Sequence, residues 1–438
     1  MNLDNTELAR KAVHIGAGLF ALALRWTTWW QAALFALLAF LFNLYLLRHV
    51  GGVHLMRLPE RERGYATGVL LYPLVVLALI VLFRHDLAIA AAGWAYLAFG
   101  DGCATLAGRA LGGAALPWNR AKSWAGFAAY VAAGFLAAAA VYGFVRARMP
   151  SIPELIALFL ASLVGAAVES LPSELDDNVA PPLMAASALA ALLLVAAHPV
   201  AVDGRRLFMA VAVNALVAGL LGPLRVVRPS GVAAGFAAGT LIYALGGPAA
   251  YTVLWAFFAT GTLATRLGRR RKEALGKAEE AGGRRGVLNV LANVTVPAFC
   301  FAAGGLSGSA ALTLAGVAAF ATAAMDTVGT EIGQAVRSRT VLLPDLKPVP
   351  PGTDGAVSIA GTLAGLLAAG LVAGVAASFG LATSARALAA VLLGATAGTV
   401  VESLLGRDGA PWRVTSGHVL NFYNTFAGAG AALMIAGS

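Results

Sequence analysis

The chain has 438 residues, of which 59% are hydrophobic and only 12% charged, against a charged share of roughly 25% in soluble domains. This composition excludes a soluble globular enzyme and points to a protein resident in a bilayer. The formal net charge of +10 does not indicate nucleic-acid binding, because the lysines and arginines fall in short loops between apolar runs, where they report orientation and lipid contact.

Apolar windows of roughly 17–25 residues, enough to cross a hydrocarbon core of about 30 Å as helices, lie near 12–25, 28–47, 67–83, 87–108, 123–145, 154–171, 179–197 and 206–222. They continue at 231–247, 249–265, 287–304, 308–333, 357–377, 385–405 and 418–436. The pattern predicts an all-α polytopic membrane protein of about fifteen transmembrane helices. Arg10 and Lys11 precede the first span and no small-residue cleavage site follows it, so that span reads as a retained helix. Placing the N-terminus in the cytoplasm puts the basic loops at 48–63, 109–122, 266–285 and 337–347 inside and, with an odd span count, the C-terminus outside. Trp26, Trp29 and Trp30 suit an interfacial belt. Cys103 and Cys300 lie in apolar segments without a CxxC or Cys/His cluster, so neither a disulfide framework nor a zinc site is indicated.

The chain also repeats itself. Asp101-Gly-Cys-Ala-Thr105-Leu-Ala-Gly108 ends one helix and Val168-Glu169-Ser170-Leu171 ends a later one; Asp326-Thr-Val-Gly-Thr330-Glu-Ile-Gly333 and Val401-Glu402-Ser403-Leu404 restate both elements. The copies are an even number of spans apart, which predicts two parallel modules with their acidic clusters on one side, the cytoplasmic one. A Pro- and Gly-bearing stretch at 198–203 separates them, giving domains 1–202 and 203–438.

Ionisable groups at the ends of membrane helices are functional candidates by default. In the first half, Asp101 sits in Gly100-Asp101-Gly102, and Glu169 is followed by Ser173-Glu174-Leu175-Asp176-Asp177-Asn178. Carboxylates and an amide in this number suit Mg²⁺, with Asp101, Glu169, Asp176, Asp177 and Asn178 as ligands; the bland alternative is a solvated acidic loop. Lys122, Ser123 and the amides leading to Gly126, at a helix start, form a cradle for nucleotide phosphates, although topology alone also places cations there. Arg10, Lys11 and His14 share the cytoplasmic end of the first span and Arg109 lies nearby.

In the second half, Lys347-Pro-Val-Pro-Pro351-Gly352-Thr353-Asp354-Gly355-Ala-Val-Ser358 joins two spans, and its glycines allow amides to gather around an anion. Asp326, Glu331 and Glu402 are the expected metal-holding and catalytic acids, with Asn421 and Asn424 of the last span completing the site. Arg284 and Arg285, with Asn289 and Asn293 one and two turns on, are placed to hold a phosphorylated substrate.

These motifs are also those of known families. Residues 8–200 resemble the phytol kinase and dolichol kinase family of membrane-embedded, CTP-dependent polyprenol kinases. The resemblance rests on Arg10-Lys11-x-x-His14, Gly100-Asp101-Gly102-x-Ala104, Gly108-Arg109, Lys122-Ser123-Trp124-Ala125-Gly126, Glu169-Ser170-Leu171-Pro172, Leu175-Asp176-Asp177-Asn178 and Pro182-Leu183. The sequence departs from that pattern at Thr105, where Asp is usual, and at Phe127, where Ser is usual. Residues 205–438 look like the phytyl-phosphate kinase family, on Gly282-Gly-Arg284-Arg285, Val290-Leu-Ala-Asn293, Asp326-Thr327 with Thr330-Glu331-Ile-Gly333, Lys347 through Ser358, and Ser403-Leu-Leu-Gly406; Glu402 stands where Asp is often found.

The resemblances imply a fusion of two kinases. One would convert an isoprenoid alcohol (phytol, geranylgeraniol, farnesol or similar) to its monophosphate, and the other would convert that to the diphosphate. Both would use a nucleoside triphosphate, CTP by the resemblance, with Mg²⁺. Asp101, Glu169 and Asp176 or Asp177 would then be metal ligands or base and Lys122 the phosphate clamp. Asp326, Glu331 and Glu402, with Lys347, Arg284 and Arg285 as clamps, would serve the second step. A CTP-dependent lipid cytidylyltransferase is the competing enzyme reading. A secondary transporter is the competing reading from another class, although transporters hold such charges near the midplane.

Overall fold

With no water to satisfy backbone groups, only helices and closed barrels can cross lipid, and the Ala-, Leu- and Gly-rich runs of this chain adopt the helical solution. The structure, a computed structural model, describes residues 5–49, 67–171, 177–224, 228–266, 286–336, 338–409 and 413–437. It divides into two units, Met1–Ala196 and Ala197–Ser438.

In the first unit, α1 (Asn5–Ala17) runs into a 3₁₀ helix (Gly18–Arg25). Next come α2 (Trp29–Tyr45), α3 (Thr67–Leu82), α4 (Leu87–Ala95), a π-helical turn (Tyr96–Asp101) and α5 (Gly102–Leu111). A small antiparallel hairpin, β1 (Ala115–Leu116) and β2 (Asn119–Ser123), leads to α6 (Trp124–Arg146), α7 (Ile152–Ser170) and α8 (Ala180–Ala197). Polar residues set the helix starts. Asp86 accepts from the Ala88 amide, Ser123 from the Gly126 amide, and Ser151 and Glu154 form a capping box at α7, each cap satisfying a backbone donor that the helix itself leaves open. The unit closes around Tyr96 and Tyr130, both fully buried.

The second unit holds α9 (Gly204–Leu224), α10 (Pro229–Leu241), a π-helical turn (Ile242–Gly246), α11 (Gly247–Arg266), α12 (Val287–Ser307) and α13 (Ala310–Ala335). A three-stranded sheet ordered β4-β3-β5 follows, made of β3 (Thr340–Leu342), β4 (Lys347–Pro348) and β5 (Ala356–Ser358). The unit ends with α14 (Ile359–Ser378), α15 (Ala385–Leu405) and α16 (Gly417–Ala436). Helix α13 is its axis. Phe320 stacks on Phe257 of α11 at 5.4 Å and meets Phe301 of α12 at 6.1 Å.

Eleven helices among the described residues are long and apolar enough to span a membrane, against the fifteen expected, and the difference has local causes. The expected spans 231–247 and 249–265 form one helical run, Pro229–Arg266, bent where Gly247 takes φ +85°. Segments 28–47 and 67–83 become helices of 17 and 16 residues. Segment 12–25 is finished in the tighter 3₁₀ form, whose larger rise lets fewer residues cover a given distance.

The bend is covered by α12. A Cβ on Gly305 would lie 1.8 Å from the Leu245 carbonyl oxygen, an approach that no side chain permits. Gly305→Ala is therefore expected to cost about 1–3 kcal/mol by overpacking, read as a lower unfolding temperature of the detergent-solubilised protein.

Candidate functional site

The π-helical turn before α5 holds Asp101, 4% exposed, at the junction of α4 and α5, inside the continuous helical run Leu87–Leu111 and not at a helix end as expected. Insertions of this kind shift a helix's register locally and recur at functional sites. Glu169, 6% exposed, ends α7, and Asp177 approaches from the segment before α8. One carboxylate oxygen from each of Asp101, Glu169 and Asp177 lies within 4.8 Å of the others, so residues far apart in sequence form one acidic group.

Cations hold it together. Lys122 Nζ on β2 bonds both Glu169 Oε1 and, at 2.8 Å, Asp177 Oδ2. Lys11 Nζ lies 2.8 Å from Asp101 Oδ2, and His14 Nε2 is 3.3 Å from the same oxygen and 2.9 Å from the Leu97 carbonyl. Burial alone would push the Lys122 ammonium down, but Asp177 and Glu169 outweigh it and hold the group above its ordinary value. Lys122 is therefore a cation at neutral pH. The hairpin that carries it is pinned to the end of α7, where Trp118 Nε1 donates to Ser170 Oγ at 3.1 Å and Asn119 Nδ2 to the Ser170 carbonyl at 3.1 Å.

This centre forms the polar end of a cavity of about 1150 Å³, also reached by Arg10, Arg109, Ser123, Gly126 and Asn178. The rest of its wall includes Phe20, Leu24, Phe35, Ala36, Val76 and Ile80. An amphiphile with a long apolar chain and a polar head matches that division. Thr105 and Phe127 also line the wall. Two of the expected phosphate-binding glycines have a steric reason as well. A Cβ on Gly102 would meet Ile15 Cγ1 at 2.5 Å, and one on Gly126 would meet the Ala104 carbonyl at 3.1 Å, so both allow helices to cross closely. Asp176, Arg284 and Arg285 lie outside the described residues.

The sequence reading missed two supports of this centre. Trp94 Nε1 donates to Tyr72 Oη at 3.0 Å, and Tyr72 in turn donates to the His14 carbonyl at 3.2 Å. Tyr130 lies fully buried with its ring against Gly100 and its hydroxyl against Gly165. Aromatic residues in apolar helices carry no sequence signal that separates such roles from core packing.

In the second unit, Asp326 of α13 and Glu402 of α15 are hydrogen-bonded to one another. Asn424 Nδ2 of α16 donates to Glu402 Oε2 at 2.5 Å, and Asn424, not Asn421, completes the group. Glu331 is buried but takes no part in an acidic triad among the described residues. Five residues along a helix turn the side chain by about 140°, so Glu331 cannot share the face of Asp326. Lys347 is exposed on the outer strand β4, paired with Leu342, with no ion pair among the described residues.

The Gly352–Ser358 stretch is engaged in structure. Thr353 Oγ1 donates to the Pro350 carbonyl at 2.8 Å, Gly352 and Gly355 have φ +87° and +75°, and Ser358 caps α14. A Cβ on Gly355 would fall 2.5 Å from Arg407 Cα, so the loop packs directly on the end of α15. Asn289 and Asn293 line a separate small cavity of about 100 Å³ with Asn214 and Tyr251. Gly355→Ala, which adds a clash at a left-handed position, is expected to loosen the loop from α15, read as faster protease cleavage there and a lower unfolding temperature.

Fold and centre define an integral multi-pass membrane protein with a lysine-bridged acidic site over an apolar cavity. The description "Integral membrane protein DUF92" matches residues 212–408, all within the second unit. The chloroplast protein VTE6 of Arabidopsis thaliana is 37% identical over 238 residues, 52% of this chain and 71% of that protein. A probable chloroplast phytol kinase of Glycine max is 32% identical over 200 residues, 42% of this chain and 62% of the relative. The chloroplast farnesol kinase of Arabidopsis thaliana is 34% identical over 205 residues, 43% and 66% respectively. No solved structure matches the chain. The chain belongs to the DUF92 family of integral membrane proteins.

Proposed function

We propose that this protein is a bifunctional isoprenoid kinase of the membrane, which phosphorylates an isoprenoid alcohol to the monophosphate and then to the diphosphate. The observation that carries the reading is the first unit's cavity, with three carboxylates and two lysines at one end and apolar walls beyond. Relatives named phytol kinase and farnesol kinase support it. The nucleoside triphosphate is CTP in this reading, and both sites open to the cytoplasm with the N-terminus on the same side.

Phosphoryl transfer asks little covalent chemistry of the protein and much positioning and charge neutralisation. The substrate hydroxyl loses its proton to Asp101 as its oxygen bonds to the γ-phosphorus, and the bond from that phosphorus to the β-phosphate oxygen breaks. Lys122, freed from Glu169 and Asp177 as phosphate enters, neutralises the transferring group, with Lys11, Arg10, Arg109 and the Ser123–Gly126 helix start beside it; His14 orients Asp101. Three convergent carboxylates suit Mg²⁺, which Asp101, Glu169 and Asp177 would hold and which would supply charge neutralisation between the phosphates. Asp326, Glu402 and Asn424 serve the monophosphate in the second unit.

The reading is tested by incubating purified protein with farnesol or phytol and CTP labelled in the γ-phosphate. Label should appear first in a lipid monophosphate and then in the diphosphate. Label released as inorganic diphosphate would instead identify a cytidylyltransferase. Movement of lipid across sealed vesicles with no phosphorylated product would identify a transporter.

A further inference from the structure

We propose that the first unit takes its isoprenoid alcohol sideways out of the bilayer, through a slot between the α1–3₁₀ run and α2 whose two lips are Phe20 and Phe35. The proposal rests on the kinase reading for its choice of occupant and adds the route by which that occupant arrives.

Beyond the acidic centre the cavity is a trough with three walls. Its lining residues follow single helix faces, Ala32, Phe35, Ala36, Ala39 and Asn43 on α2 and Val69, Pro73, Val76 and Ile80 on α3, at the three- and four-residue spacing that keeps side chains on one side. Helix α3 is the back. Pro73 has no N–H to give the Val69 carbonyl one turn before it, and Asn43 Nδ2 of α2 donates to that carbonyl instead at 2.9 Å, which fixes α2 on α3. Tyr72 Oη of α3 donates to the His14 carbonyl at 3.2 Å and so ties the same helix to α1 at the polar end.

The fourth side is open. The 3₁₀ helix packs on α4 and α6 and α2 packs on α3, but among the described residues the α1–3₁₀ run and α2 do not pack along one another. Exposure marks the same gap. Phe20 and Phe35 line the cavity yet are 69% and 63% exposed, whereas Leu24, Ala36, Val76 and Ile80, which also line it, are buried. An enclosed pocket has no lining side chain that is mostly exposed; a slot has such side chains at its lips. Both lips lie within apolar runs, Gly18–Arg25 and Trp29–Tyr45, so the gap faces hydrocarbon and not water.

The occupant follows from continuity. The trough leads without a break to Lys11, His14 and Asp101, so its ligand presents a polar head to a charged centre and an apolar chain to the walls. An isoprenoid alcohol does both and is dissolved in the layer that the slot faces. Delivery through water would expose its whole chain, and a lateral path exposes none of it. A nucleotide cannot share that path, because ions are expensive in hydrocarbon, and so reaches the centre from the aqueous side.

The test uses the full-length protein in lipid nanodiscs with radiolabelled farnesol and no nucleotide, in a Cys103→Ala, Cys300→Ala background. Phe20→Cys with Phe35→Cys, bridged by a reducible bifunctional thiol reagent, should slow both uptake and release of farnesol by about tenfold or more, within the range by which access steps alter rates. The affinity should stay unchanged, and reductant should restore both rates. Either single cysteine, treated alike, should keep the unbridged rates. A merely structural role of the lips would change affinity instead. A benzophenone-bearing residue in place of Phe35 should capture farnesol on illumination, and the same residue in place of Leu38, exposed on α2 but off the lining, should not. No binding of farnesol, unslowed exchange in the bridged protein, a change of affinity without a change of rate, or equal capture at both positions would each overturn the proposal. Farnesol that passes the slot and is never phosphorylated would overturn the kinase reading alone.

Discussion

Asp101→Asn is expected to lower phosphorylation of an isoprenoid alcohol by roughly 10²–10⁴-fold, the range for losing a positioned base, while phosphorylation of an isoprenyl monophosphate continues at its original rate. The carboxylate accepts from Lys11 Nζ at 2.8 Å and lies beside His14 Nε2. An amide in its place keeps the shape but can neither take the hydroxyl proton nor hold Lys11 by charge. The measurement is the rate of label transfer from γ-labelled nucleotide to each lipid, assayed separately. His14→Gln, which removes only the group beside that carboxylate, should produce a smaller loss in kcat. If Asp101→Asn stopped both reactions equally, one composite site would replace two.

The reciprocal substitution, Asp326→Asn, is expected to reduce phosphorylation of the monophosphate by about 10²–10³-fold, within the range for losing a positioned acid–base group. Alcohol phosphorylation should persist and the monophosphate should accumulate. Glu402→Gln should behave similarly, because Asp326 and Glu402 share one hydrogen-bonded arrangement with Asn424, and the double variant should therefore cost far less than the sum of the two. Additive losses would show that the two carboxyls act independently.

The first unit's centre was largely legible because its chemistry is expensive. An Asp, a Glu and a Lys within or beside apolar helices cost too much to be incidental, and Asp101, Lys122, Glu169 and Asp177 do converge. The second was legible in composition but not in partnership. Glu331 lies five residues from Asp326 on one helix and so on another face. The choice of Asn424 over Asn421 depends on how α16 is rotated against α15, which a strip of Ala and Gly does not encode. Helix counting stumbled for a related reason. Hydropathy registers length and apolarity, whereas the bend at Gly247 and the 3₁₀ segment at Gly18–Arg25 are backbone conformations.

That bend has a bearing on biogenesis. The π-helical turn and Gly247 interrupt a 38-residue apolar run, and α12 packs directly on the interruption, where a Cβ on Gly305 would fall 1.8 Å from the Leu245 carbonyl oxygen. Without α12 the interrupted stretch of backbone would face lipid, which offers it no hydrogen-bond partner. The pair α10–α11 should thus be poorly suited to leaving the translocon on its own, and its release into the bilayer should wait for synthesis of α12, making insertion of this part of the chain a three-helix event.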